Sequence, residues 1–178
     1  MEFAYTIEEY TVDVPMDEFI AQCIDVPRFR RLCEQCSNYD KRWSCPSFSF
    51  DPMEVWNGYS SVRLYMRLLR STKDGQAMES ALTALLEEKK KYFAMLMAWE
   101  KANTGSQMLS AGTCDLCDTC AKELGEPCRH PQQLRYSIEA LGGDVEKCAR
   151  LYFQTPVLWG KDGIAPAYYM LMGGLLLK

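Results

Sequence analysis

The chain contains no phosphate-binding loop, no dinucleotide glycine fingerprint, no nucleophile elbow and no radical-type C-x3-C-x2-C run, so the chemistries those motifs carry are not written into it. A basic excess is also missing. Twenty Lys and Arg against twenty-four Asp and Glu give a formal charge of −4, which offers no general attraction to phosphate backbones and argues against nucleic acid as a main partner. The longest apolar stretch, Tyr168 to Leu177, is about half the ~20 residues a membrane-spanning helix requires, so it reads as a buried strand and no membrane partner is expected. The segment from Met1 to Glu9 lacks a basic region followed by an apolar stretch and a small-residue cleavage site, which points to a cytoplasmic protein. Histidine occurs once, at position 130.

Thiols, in contrast, are abundant. Seven of the nine cysteines fall into two runs, Cys33-x2-Cys36-x8-Cys45-Pro46 and Cys114-x2-Cys117-x2-Cys120-x7-Cys128. At 178 residues the chain is long enough for a single domain, residues 1–178, with its own core, so disulfide staples are not needed, and an odd number of cysteines fits full pairing poorly. In a reducing cytoplasm, clustered thiols bind metal or do redox chemistry. Two-residue gaps let successive sulfurs converge on one centre, and the overlapping triple Cys114, Cys117, Cys120 has the ferredoxin-like spacing. With Cys128 it supplies the four thiolates of a 4Fe-4S cluster; zinc is the alternative, although structural zinc sites usually pair two separate knuckles. The gap of seven residues before Cys128, with proline arriving only at Pro131, departs from the bacterial two-cluster ferredoxin pattern. The turn Gly125-Glu126-Pro127 is placed to carry Cys128 back toward the other sulfurs.

The first run offers three close thiolates, Cys33, Cys36 and Cys45, and no local fourth. Either Cys23 completes a closed site, or the fourth position is left for water, substrate or a non-cysteine ligand and the metal acts as a Lewis acid. A structural zinc with Cys23, or Cys45 joining the second run at a shared centre, are the plainer alternatives. Cys23 and Cys148 otherwise read as small buried hydrophobes. Arg129 and Arg135 are either donors to a cluster's charge or surface arginines. His130 is a relay, a ligand or an ordinary hydrogen-bonding residue beside the loop. Tyr39, Trp43, Phe48 and Phe50 either shield the first cysteine loop or simply pack it.

Periodicity predicts an α+β sandwich: one mixed sheet with flanking helices and two cysteine-rich metal-binding loops. Strands are expected over residues 3–13, Ser60 to Arg70, Met108 to Gly112 and the final apolar stretch, the second of these with one buried face (Val62, Leu64, Met66, Leu68). Short helices are expected over Asp17 to Ile24, Pro27 to Leu32, Pro131 to Ala140 and Asp144 to Leu151. The main amphipathic helix is expected over Gln76 to Lys101, with Glu87 to Lys91 on its polar face. Ser37 to Pro52 reads as an irregular loop. The strand at Ser60, the long helix and the strand at Met108 are candidates for one crossover unit.

The combined motifs resemble a known family. Cys33-x2-Cys36-x2-Tyr39-x3-Trp43-Ser44-Cys45-Pro46, Gly112-x-Cys114-x2-Cys117-x2-Cys120, Pro127-Cys128-Arg129-His130-Pro131 and Ser137-x-Glu139-Ala140-x-Gly142-x-Asp144-Val145 are similar to a domain-of-unknown-function family of predicted metal-binding proteins common in anaerobic microbes. The resemblance spans most of the chain and implies metal-ligand positions at Cys33, Cys36, Cys45, Cys114, Cys117, Cys120 and Cys128, with Cys23 and Cys148 outside the pattern. One departure is Ser47, where the family pattern usually has a second proline. The expected function is therefore an iron-sulfur protein with two 4Fe-4S clusters, one closed and one on three cysteines, in electron transfer to a redox partner. The alternatives are an enzyme that reduces, dehydrates or desulfurates a small molecule at an open iron, and a zinc-stabilised interaction module.

Overall fold

The computed structural model describes residues 2–178, so Met1, where the reading of the N-terminal segment begins, lies outside it. A four-stranded sheet forms the centre: β1 (Tyr5–Pro15), β2 (Ser61–Ser71), β3 (Gln107–Leu109) and β4 (Tyr168–Leu177), in the order β1-β2-β4-β3. The α-helices among the described residues are α1 (Met16–Cys23), α2 (Val26–Cys33), α3 (Pro52–Asn57), α4 (Met78–Ala102) and α5 (Val145–Phe153). The α+β class is as expected. The ladders, however, are all antiparallel and not mixed. The crossover β2-α4-β3 does return a strand in the direction of β2, but β4 inserts between the two and runs against both. Parallel pairing survives as a single bridge, Ser110 to Ser137, outside the named strands.

Insertion of β4 depends on Gly173 and Gly174. A Cβ on Gly173 would sit 2.3 Å from the Leu109 carbonyl oxygen, and one on Gly174 2.0 Å from that of Arg63, so no side chain fits between β2 and β3 here. Both faces of β2 are buried, not one. Val62, Leu64, Met66 and Leu68 join Phe19 of α1 and Trp56 of α3 on one side, while Tyr65 and Leu69 pack with Tyr92 and Leu96 of α4 on the other. The long helix covers the face that the alternation had assigned to solvent.

The same helix pulls one acid inward. Glu88, expected on the polar face, is 5% exposed, and accepts from Arg67 at 3.4 Å, Lys91 at 2.6 Å and the Tyr5 hydroxyl at 3.1 Å. Along the outer edge, Asp13 lies opposite Arg63 and Glu9 opposite Arg67, with pair distances of 2.7 Å and 2.6 Å. These cross-strand ion pairs put charge on an edge strand that would otherwise invite pairing with another chain.

Two local expectations change. Pro131 to Ala140 forms turns, not a helix, because the Gln133 and Leu134 N–H groups both end on the His130 carbonyl, and the chain then runs extended beside Ser110, whose N–H donates to the Tyr136 carbonyl at 2.9 Å. The loop from Ser37 ends in the unanticipated helix α3, which Asp51 caps by accepting from the Met53 N–H at 2.9 Å with Pro52 in its first turn. Among the described residues no helix is long and apolar enough to cross a membrane.

Gly174→Ala is expected to cost about 2 kcal/mol or more, since backbone must move to admit the methyl. Gly163→Ala, at a left-handed position with open space around it, should cost only about 1 kcal/mol. Denaturant unfolding of the two variants checks the order, and equal stabilities would contradict the close approach of the three strands.

Candidate metal centre

β3 delivers the second cysteine run to one end of the sheet. After Leu109 the chain turns at Gly112, whose φ of 64° suits a residue without a side chain. A short 3-10 turn over Ala121–Leu124 follows Cys120 and stops at Gly125 in the left-handed conformation, with the Glu126 N–H returning to the Ala121 carbonyl at 3.0 Å. The chain doubles back as the Gly125-Glu126-Pro127 sequence suggests. As a result Cys114, Cys117, Cys120 and Cys128 all line one recess, walled by Arg42, Trp43, Leu116, Ala121, Arg129, His130 and Leu134.

Burial pushes the Cys114 thiol up, and the nearby Asp115, Cys128 and Cys117 charges push it further against an opposing Leu116 N–H. A cation beside Cys114 would reverse this balance and hold its sulfur as a thiolate. The His130 N–H lies 3.4 Å from the Cys128 sulfur as a donor.

The first run starts at the end of α2, a helix whose N-terminus Asp25 caps by accepting from the Arg28 N–H at 3.0 Å. Cys33 is the last helical residue, and successive turns place the Cys36 N–H on the Cys33 carbonyl at 2.9 Å and the Cys45 N–H on that of Arg42 at 3.0 Å. Burial raises the Cys33 thiol, and the charges of Cys45, Cys36 and Glu139 raise it further. Cys33 therefore shares an electrostatic neighbourhood with both other thiols of its run and with the half-buried Glu139.

The two runs interlock. Arg42 donates to the Cys114 carbonyl at 3.1 Å, and the Ser44 hydroxyl accepts from the Cys114 N–H at 3.2 Å. The Trp43 indole N–H donates to the Glu126 carbonyl at 3.0 Å, and Lys122 reaches back to Asp40 at 3.0 Å and lies over the Trp43 ring. Cys45 lies 3.6 Å from the Thr113 hydroxyl, next to the second run. From the other side, Lys89 of α4 donates to the Thr113 carbonyl at 2.7 Å and pairs with Asp115.

Cys23 does not join the first run. It and Cys148 are buried in the core between α1 and α5, close enough for their thiols to interact, as their reading as packing residues had it. Arg135 is committed to Glu100 and to the Gln132 and Leu134 carbonyls, so it is an anchor and not a donor to the recess. Arg129 does line the recess while donating to the Thr119 carbonyl at 3.0 Å. Trp43 walls the recess, whereas Phe48 and Phe50 stack on each other and on Tyr136, which is packing. Arg42, Lys89, Thr113 and Lys122 carry no sequence signal that separates them from other surface residues. Ser44 and Glu139 lie inside the family motifs, and that is the signal their roles had. Among the described residues, no three or more His, Cys, Asp or Glu side chains are grouped so as to grip a single ion; the second-run thiols border a common space instead. Soft sulfur donors in that number suit a thiophilic metal or cluster.

Comparison with known proteins points to metal binding in general. A family model described as predicted metal-binding protein (DUF2284) matches residues 20–177, and the chain belongs to that family. No curated protein matches, and no solved structure does.

The exit of the second run hangs on Glu100 of α4, which accepts from Arg135 Nε at 2.7 Å and from the Met108 N–H at 2.6 Å. Burial would raise this carboxyl, but those two donors outweigh it and hold it below the usual glutamate range. A depressed folded-state value means that the stabilisation is present above the unfolded value of 4.5 and is lost as pH falls through the folded one. Glu100→Gln should therefore lower stability at neutral pH and flatten the acid limb of the curve. Denaturant unfolding from neutral to acid pH tests this, and parallel curves for the two proteins would refute it.

Proposed function

We propose, starting from that family membership, that the chain is a cytoplasmic iron-sulfur protein. One 4Fe-4S cluster is held by Cys114, Cys117, Cys120 and Cys128, and a second by Cys33, Cys36 and Cys45, in electron transfer to a redox partner. The observation that carries the reading is the convergence of all four second-run thiols on one recess. A cubane spaces its thiolates around a volume, where one zinc would draw sulfurs to about 3.8 Å of each other at a Zn–S distance of about 2.3 Å. The overlapping two-residue spacing of the triple favours the cluster as well.

When bound, such clusters supply reversible one-electron redox chemistry. The residues around them set its conditions. Trp43, Leu116, Ala121 and Leu134 give the recess an apolar wall that limits water, while Arg42 and Arg129 place positive charge beside it. Together with the His130 N–H on the Cys128 sulfur, these charges stabilise the more negative, reduced state and so raise the potential. The hydrogen bonds that tie the two loops together support a reading in which an electron passes from one centre to the other.

A second reading, an enzyme that reduces, dehydrates or desulfurates a small molecule at the open iron of the three-thiol centre, is favoured by one feature. A cavity lined by Phe29, Leu32, Lys89, Gly112, Glu139 and Trp159 lies next to the helix end that leads into Cys33.

Cys117→Ser and Cys36→Ser are each expected to lose about half of the iron and of the visible absorption, one cluster per variant. Iron content equal to that of the unsubstituted protein in both would overturn the assignment.

A further inference from the structure

One cavity has no cysteine on its lining. It measures about 540 Å³ and is walled by α2, α4, the start of α5 and β4, through residues such as Leu32, Leu86, Val145 and Met172. That volume falls within the range of small-molecule sites, about 300–1,000 Å³. Three large apolar side chains on its lining stay exposed, Leu32 at 49%, Leu86 at 55% and Trp159 at 83%. Apolar groups gathered in solvent around one concavity mark a place where something binds.

The charges on the lining point to the sign of what binds. Two cations, Arg28 and Lys89, stand against three acids, Glu139, Asp144 and Glu146. Arg28 pairs with Asp144 at 3.1 Å, Glu146 with Arg150 at 2.8 Å, and Lys89 with Asp115 while donating to the Thr113 carbonyl at 2.7 Å. Glu139 differs. Its Oε2 oxygen is buried and has no hydrogen-bond partner, and a buried acceptor left unpaired calls for an ion, a water or a function to account for it. The charge of Lys89 does reach Glu139, but that ammonium is already shared between Asp115 and a carbonyl.

The segment carrying this acid is fixed. The Ser110 N–H donates to the Tyr136 carbonyl at 2.9 Å, the Gly142 N–H to the Glu139 carbonyl at 3.0 Å, and the buried Trp56 indole to the Leu141 carbonyl at 2.9 Å. A site held in place before the ligand arrives loses less order on binding.

We infer that this cavity binds a small organic amine, its protonated nitrogen at the Glu139 carboxylate and its apolar body against Trp159, Leu32 and Leu86. The ammonium group supplies both an N–H donor for Oε2 and the counter-charge that the acid lacks. The exposed Trp159 indole attracts a cation as well as an apolar ring. Binding there calls on no metal, so the inference stands apart from both readings of the thiol centres.

The test uses three probes with one indole body: tryptamine, a cation; tryptophol, a neutral alcohol; and indole-3-propionate, an anion. Each is titrated calorimetrically into the chain purified without oxygen, and into Glu139→Gln and Trp159→Ala. Tryptamine is expected to bind about tenfold more tightly than either other probe, and Glu139→Gln to erase that advantage. Trp159→Ala should weaken tryptamine and tryptophol alike. No heat from tryptamine up to about 10 mM, equal binding of the three probes, or tighter binding of the anion would overturn the inference. Unchanged tryptamine affinity in Glu139→Gln would overturn it too; if that variant does not fold, the order of the probes and the loss in Trp159→Ala decide. A chain that binds tryptamine but holds no iron or sulfide would sink the iron-sulfur reading and leave this one standing.

Discussion

The peptide of Cys114 is held at both ends by the other cysteine loop, Ser44 accepting from its N–H and Arg42 donating to its carbonyl, and the arrangement of the thiols depends on that clamp. Neither loop has regular structure enough to order itself. The first contributes turns between α2 and α3, and the second a short 3-10 turn between β3 and the segment at Ser137. Each loop is therefore ordered by the other, and the Trp43 bond to Glu126 and the Lys122 contacts extend the clamp across both. The sheet makes this meeting possible. With β4 between β2 and β3, the crossover through α4 brings the chain to β3, from which the second loop leaves to meet the first.

Electrostatics then favours a cation in this region. Burial and the negative neighbours of Cys33 and Cys114 push both thiols up, so the metal-free state keeps protons on groups whose chemistry requires losing them. Membership in a predicted metal-binding family fits that balance. A metal bound among these thiols would have a pH-dependent affinity and would add order to the two loops, since binding free energy adds to folding free energy.

Much of this was legible in the sequence, and the exceptions have physical causes. The short gaps and the glycine turn of the second run predict that its four cysteines converge, and they do line one recess. The strands and α4 followed from periodicity. Where the structure departs from local pattern, tertiary contacts outweigh it: the helical period puts Glu88 on the polar face, but Arg67, Lys91 and Tyr5 hold it inward. Pro131 looked like a helix start, but its segment is pulled alongside Ser110. The mixed sheet became antiparallel because the order of strands depends on where β4 returns, which local sequence does not encode. Arg42 and Thr113 reach the other cysteine run through contacts across some 70 positions of chain, a distance over which a single sequence gives no signal.

The most direct test of the central claim is the content of iron, acid-labile sulfide and zinc in the chain purified without oxygen. The account predicts about eight irons and eight sulfides per chain, two cubanes' worth. Stoichiometric zinc without sulfide would contradict it and leave a structural module in place of a redox protein.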